Sequence, residues 1–134
     1  MNELYKIKKK NQEQSLILKE YPLANGEILP LFHFPLLEKT GIVKHCFTTR
    51  FGGVSKGVCA SLNLSFARGD KEQAVRENYR RLAEVMEVEI SDFVCSDQTH
   101  TTNILLVGKE HKGYGLTKQR TYTDIDGLIT NEQG

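Results

Sequence analysis

This sequence has no excess of charge of one sign. Its 134 residues carry 18 lysines and arginines against 17 aspartates and glutamates, a formal net charge of +1. The one-sided basic field that draws a protein to nucleic acid or to an anionic membrane surface is missing, so neither partner is expected. The only basic cluster, Lys6, Lys8, Lys9 and Lys10, stands in a polar N-terminal stretch, 1–12, that reads as flexible and solvated. No apolar run approaches the roughly 20 residues that span a bilayer. The polar segment 6–14 also lacks the apolar core of a signal peptide. A cytoplasmic protein is expected. Cysteine is scarce: Cys46, Cys59 and Cys95 are odd in number and form no Cys-x-x-Cys pair. That pattern excludes a disulfide framework and a closed structural zinc site. Internal repeats and low-complexity tracts are absent as well.

What is present is enough for one domain with a real core, since a chain of this length buries about two thirds of its unfolded surface. Segments 15–20 and 28–37 read as strands flanking an Ala24-Asn25-Gly26 turn, and Asn-Gly is a strong hairpin signal. Pro30 and Pro35 demote the second strand to an edge or to two short pieces. Strands are also expected at 42–49 and 61–66. In the latter, Leu62, Leu64 and Phe66 alternate with Ser61, Asn63 and Ser65, which turns Asn63 toward solvent or a polar cleft.

The clearest helix runs over 70–87. Asp70 is its expected N-cap and Gln73 completes a capping box. Val75, Tyr79, Leu82, Ala83 and Met86 share one face, while Arg80 and Glu84 are spaced to pair. Segments 93–95, 103–107 and 127–130 read as strands, with Gln98, Thr99 and His100 at a bend and a polar loop over 108–119. Strands, one long helix and more strands without regular β-α alternation predict an α+β fold, a mixed β-sheet sandwich layered with helices.

Chemistry concentrates in three stretches. Between strands, 45–63 carries Arg50, the pair Gly52-Gly53 and a Ser55-Lys56-Gly57 turn. Glycines lack the Cβ that blocks close approach of a ligand, and an arginine at the loop mouth offers a fork of donors suited to phosphate or carboxylate. The plain alternative is a glycine hairpin with a solvated arginine. His100 is the best single metal-ligand candidate, with Gln98 two residues away on an extended stretch and so on its side. The alternative is a surface histidine at a strand end. His33, His45 and His111 read as structural or solvated, and Cys95 as an inert thiol in an apolar strand. Asp124 and Asp126 flank Ile125 and project to one side, where they could act as acid and base or bind a hard cation.

Taken in order, TTRFGGVSKG and SLNLS, then GD opening a helix with Glu77, Asn78, Arg80 and Arg81, then Gln98-Thr99-His100, then DGLIT, resemble the N-terminal half of the laccase-domain family. Members of that family are known as multicopper polyphenol oxidases and as purine nucleoside phosphorylases. The resemblance runs from about Gly41 to Gly134 and implies that 13–134 form the N-terminal part of a single laccase-like domain. The family's later cysteine and histidine motifs do not occur here, so a fragment or truncated product with an incomplete, inactive site is expected.

The resemblance implies zinc-dependent phosphorolysis of adenosine, inosine, guanosine and methylthioadenosine, with adenosine deamination as a companion activity. His100 is then one ligand of a His/Cys/His site, Arg50 and Asn63 meet phosphate and nucleoside, Gln98 touches substrate, and Asp126 holds the loop near the metal. Copper is the lesser alternative, because a multicopper site needs many more ligands. A second reading is a non-catalytic truncated half, or a remnant, that folds by associating with another chain; self-association through the surface left by the missing half is the partner expected with it.

Overall fold

Hydrophobic alternation and one Asn-Gly turn set up the first unit of structure. The computed structural model describes residues 16–133, so the polar stretch 1–12 lies outside the described residues. β1 (Ile17–Pro22) and β2 (Ile28–His33) form an antiparallel hairpin with Tyr21 opposite Leu29 and Lys19 opposite Leu31. Gly26 closes the turn at φ 83°, and the Asn25 side chain accepts the Glu27 N–H at 3.0 Å. β3 (Phe47–Thr48) adds antiparallel to the other side of β2.

Contrary to expectation, β2 is the central strand and Pro30 sits inside it. The Pro30 carbonyl accepts Thr49 Oγ1 at 3.0 Å, so the missing Pro30 N–H faces the β3 side. The β2–β3 ladder covers only Leu31 and Phe32, and no bond is forfeited there.

Two expected strands are shorter than the pattern suggested. The second strand ends at His33 because Pro35, with its preset φ, opens a short helix α1 (Pro35–Thr40) that Gly41 stops in the left-handed region at φ 67°. β3 is two residues long instead of eight. Two steps further on its register would pair Phe34 with His45, but His45 Nε2 itself takes the Phe34 N–H at 2.8 Å.

Segment 61–66 is extended but pairs with no strand; Phe66–Arg68 turn into a 3₁₀ helix. Side chains do what a neighbouring strand would do. The Asn63 carbonyl accepts Asn78 Nδ2 at 2.8 Å, and the Leu64 carbonyl accepts Tyr79 Oη at 2.9 Å. Segment 93–95 likewise bonds to the loop around Gly113 and Tyr114 without forming a ladder.

The long helix α2 (Glu72–Met86) buries Val75, Leu82 and Ala83. Leu82 joins Leu23, Leu29, Leu31 and Leu62 in the core. Burying each such leucine contributes about 1.5–3 kcal/mol. Arg80 and Glu84 pair at 3.1 Å as the spacing implied. The helix begins two residues later than expected, with Lys71 and not Asp70 at its N-terminal boundary. Asp70 is drawn away by stronger partners: Ser55 Oγ donates to it at 2.6 Å and Asn63 Nδ2 at 3.0 Å.

β4 (Ile104–Leu106) and β5 (Gly127–Ile129) form a second, parallel two-stranded sheet. The result is an α+β arrangement of two small sheets and one long helix. No helix among the described residues is long and apolar enough to cross a membrane.

Candidate functional site

The glycine pair does not open the backbone to a ligand. It lets the chain pack against itself. A Cβ on Gly53 would stand 2.1 Å from the Ser61 carbonyl and 2.6 Å from Asn78 Oδ1; one on Gly52, at φ 87°, would stand 2.7 Å from Leu29. Gly53 thus has no room for a side chain, and one on Gly52 would also stand 2.9 Å from the Ile28 carbonyl. The loop is closed by the Arg50 carbonyl, which accepts the N–H groups of Ser61 at 2.8 Å and Leu62 at 3.0 Å.

Helix α2 holds this loop from behind through two buried polar residues that a search for apolar periodicity misses. Asn78 is fully buried. Its Oδ1 accepts the Val54 N–H at 2.8 Å, and its Nδ2 donates to Ser55 Oγ and to the Asn63 carbonyl, both at 2.8 Å. Arg81, 4% exposed, donates to the Gly52 carbonyl at 2.9 Å and pairs with Glu27 and Glu77. The available signal was Asn78 standing three residues after Val75 and four before Leu82, on the face directed inward.

In front of the loop lies an open cleft of about 370 Å³ lined by Arg50, Val58, Cys59, Ala60, Leu62, Asn63 and Arg68. Arg50 and Asn63, the two residues singled out around the glycines, are therefore brought together. Arg50 Nε and Nη2 donate to the Ala60 carbonyl at 3.0 and 2.8 Å, which aims the guanidinium along the cleft wall. Asn63 is oriented by three bonds, to the Ser65 carbonyl, from the Ser65 N–H and to Asp70, each at 3.0 Å. The hydrogen bonds from Asn63 and Ser55 hold the Asp70 carboxyl below the usual carboxylate range.

Gln98 and His100 are not among the cleft's lining residues. They belong to a second group, built on the loop before β4. His100 is exposed and sits in the left-handed region at φ 65°, so the stretch is bent at His100 and not extended through it. Asp126 holds that bend. Its carboxylate accepts the N–H groups of Thr99, His100 and Thr101 at 3.0, 3.0 and 2.9 Å, and Thr101 Oγ1 at 3.0 Å. These donors keep its carboxyl below the ordinary range.

Asp124 faces the same segment and accepts Thr99 Oγ1 at 2.9 Å. The two aspartates thus act as a clamp on the loop and not as an exposed acid–base pair. The other histidines have local partners: His33 shares a hydrogen bond of 2.9 Å with Tyr21, and His111 Nδ1 accepts the Gly108 N–H at 3.0 Å. Cys95 lies within 3.6 Å of Tyr79 Oη, in a loop and not a strand.

The glycine loop, the start of α2 and the His100–Asp126 clamp all fall within residues 44–134, which match the profile of the multi-copper polyphenol oxidoreductase laccase family. The chain belongs to this family. Among its relatives, the purine nucleoside phosphorylase YlmD of Geobacillus stearothermophilus is 41% identical over 88 residues, which are 65% of this chain and 32% of that protein. The purine nucleoside phosphorylase of Bacteroides thetaiotaomicron is 38% identical over 93 residues, 69% of this chain and 34% of that protein. The chain therefore spans about a third of the length of these relatives.

The crystal structure of hypothetical protein YfiH from Bacillus licheniformis superposes with a TM-score of 0.66 at 29% identity, over 84% of this chain and 40% of that one. The crystal structure of G. stearothermophilus YlmD gives 0.56 at 32% identity, over 83% of this chain and 35% of that one.

The name of this laccase family carries a metal, and the donor set can be tested against one. Catalytic zinc takes three protein ligands, and a multicopper site takes more. Among the described residues no group of three His, Cys, Asp or Glu is placed to hold an ion. Exposed His100 offers one imidazole and Asp126 is already committed to backbone N–H groups. The described residues do not by themselves fit a metal centre.

Proposed function

We propose that this chain contributes the glycine-loop portion of a purine nucleoside phosphorylase. The carrying observation is the pairing of Arg50 and Asn63 on one open cleft, in a chain whose relatives are named for that activity. Phosphorolysis needs phosphate held against the ribose C1′ while the purine leaves. An arginine supplies charge and two parallel donors, and a fixed amide supplies hydrogen bonds to a hydroxyl-rich partner.

In this reading Arg50 binds phosphate, Asn63 and Gln98 face the nucleoside, and His100, fixed by Asp126, gives one ligand to a zinc whose other ligands come from outside the described residues. Adenosine, inosine, guanosine and methylthioadenosine are the proposed substrates, with adenosine deamination as a second activity. Residues 13–134 are then the N-terminal part of one laccase-like domain, and the protein works in the cytoplasm.

A second reading, a non-catalytic truncated half that folds by pairing with another chain, is favoured by the β4–β5 sheet. Ile104, Leu106 and Ile129 share one of its faces and are 69%, 58% and 57% exposed, more apolar surface than a two-stranded sheet usually leaves bare.

A chimera separates the two. With this chain replacing the matching third of G. stearothermophilus YlmD, purine release from inosine that requires phosphate is expected, while the 134-residue chain alone gives none above a metal-stripped control. A folded chimera that releases no purine from inosine or adenosine overturns the phosphorylase assignment.

A further inference from the structure

The sequence holds six arginines, all within the described residues. Four are ion-paired: Arg76 with Glu72, Arg80 with Glu77 and Glu84, Arg81 with Glu27 and Glu77, and Arg120 with Asp97. Arg50 and Arg68 have no carboxylate partner among the described residues, and both line the same cleft. No aspartate or glutamate lines it with them. Asp70, which touches the cleft residue Asn63, is engaged by Ser55, Asn63 and the Lys71 N–H at 2.8 Å.

In a protein whose charges are otherwise balanced, two uncompensated guanidiniums on one concave surface repel each other unless an anion stands between them. Arg50 is fixed by the Ala60 carbonyl, whereas the Arg68 side chain makes no hydrogen bond among the described residues and is exposed. One cation is thus preset and the other is left exposed beside it, its donors open to a ligand.

We infer that Arg68 is the second arm of this cleft, and that the pair takes a doubly charged phosphoryl group, either inorganic phosphate or a sugar phosphomonoester. The inference rests on the proposed role of Arg50 in binding phosphate and extends it to a residue that neither the spacing nor the resemblance had singled out. A dianion matches two guanidiniums in charge, and its oxygens accept from both forks at once.

Cys59 provides a readout that needs no catalysis. It lines the cleft, is half-buried, and its thiol stands 3.7 Å from the Arg68 carbonyl. A phosphoryl group seated between the arginines covers it, whereas Cys46 and Cys95 lie outside the lining.

The test is alkylation of the 134-residue chain by iodoacetamide, followed peptide by peptide, against rising inorganic phosphate or ribose 5-phosphate, with chloride at matched ionic strength. Saturable protection of Cys59, with Cys46 and Cys95 unaffected, is expected. Arg68→Ala should raise the half-protecting concentration about tenfold or more, the loss of a charge-assisted contact, and Arg68→Lys should recover part of it. Because the Arg68 side chain has no hydrogen-bond or ion-pair partner among the described residues, Arg68→Ala should keep the wild-type thermal unfolding midpoint without ligand, which confirms that the variant is folded.

The arm with the lower half-protecting concentration identifies the source. Protection that Arg68→Ala leaves unchanged but Arg50→Ala removes overturns the role of Arg68 and keeps that of Arg50. The reverse pattern keeps Arg68 and overturns the Arg50 reading. Equal protection by chloride, or none by either phosphate, overturns the two-armed site.

Discussion

Replacing Asn78 by alanine should be among the most damaging single changes to this protein. The side chain is fully buried and makes three hydrogen bonds of 2.8 Å, to the Val54 N–H, Ser55 Oγ and the Asn63 carbonyl. Each net bond contributes about 1 kcal/mol, and a buried backbone group stripped of its partner costs about 1–3 kcal/mol. Two such groups, at Val54 and Asn63, are left behind. The loss sums to about 3–5 kcal/mol, a large share of the 5–15 kcal/mol that holds an ordinary domain.

Followed by circular dichroism in urea with a slope of about 1.5 kcal/mol per molar, the midpoint should fall by about 2–3 M. Asn78→Asp keeps the acceptor for Val54 but sets a buried carboxylate oxygen against the Asn63 carbonyl, so at neutral pH it should cost at least as much as alanine. A midpoint shift below about 0.5 M for Asn78→Ala would refute the view that the amide fastens the loop to α2.

Gly53→Ala should fail to fold or lose more than about 3 kcal/mol in the same titration, because its Cβ meets backbone and not a movable side chain. Stability should also fall in acid. Asp70 and Asp126 have folded pKa values held below the ordinary carboxylate range, so their contribution is full above about pH 4 and is lost as pH drops through the folded values. Asp70→Asn should flatten that acid limb in a pH series of thermal midpoints. In the chimera with YlmD, His100→Ala should remove most bound zinc by elemental analysis while His33→Ala and His111→Ala keep it; equal zinc in all three would exclude His100 as a ligand. Arg50→Ala in the same protein should cut phosphorolysis roughly ten- to a hundredfold and spare adenosine deamination, which uses no phosphate; equal losses would place Arg50 on the loop or the nucleoside instead.

Local signals predicted the local structure. The Asn-Gly turn, the apolar face of α2 and the Arg80–Glu84 pair follow from periodicity and turn chemistry alone, and the structure has each of them. What failed were several inferences that needed a partner distant in sequence. Segment 61–66 alternates like a strand, yet Asn78 and Tyr79 take its carbonyls. Asp70 is a good N-cap by type, but Ser55 and Asn63, 15 and 7 residues away, outbid the helix for its oxygens. The glycines were visible, but not what they approach: the steric demand at Gly53 comes from Ser61 and Asn78 and not from a ligand. Arg50 and Asn63 could be picked out by residue type beside a glycine loop. Arg68 could not, because its interest lies in lacking a carboxylate partner among the described residues, which only the folded arrangement reveals.

The glycine loop is anchored on its inner side by Asn78, Arg81 and Asp70, whereas Val58, Cys59 and Arg68 line the outer wall of the cleft. Folding and ligand choice are thereby assigned to different residues. Substitutions on the outer wall can retune charge, size or reactivity at little thermodynamic penalty, as surface changes away from packed features usually lie within about 0.5 kcal/mol. Such a scaffold lets a descendant chain exchange one anion for another, or for a neutral ligand, by single steps that each remain folded.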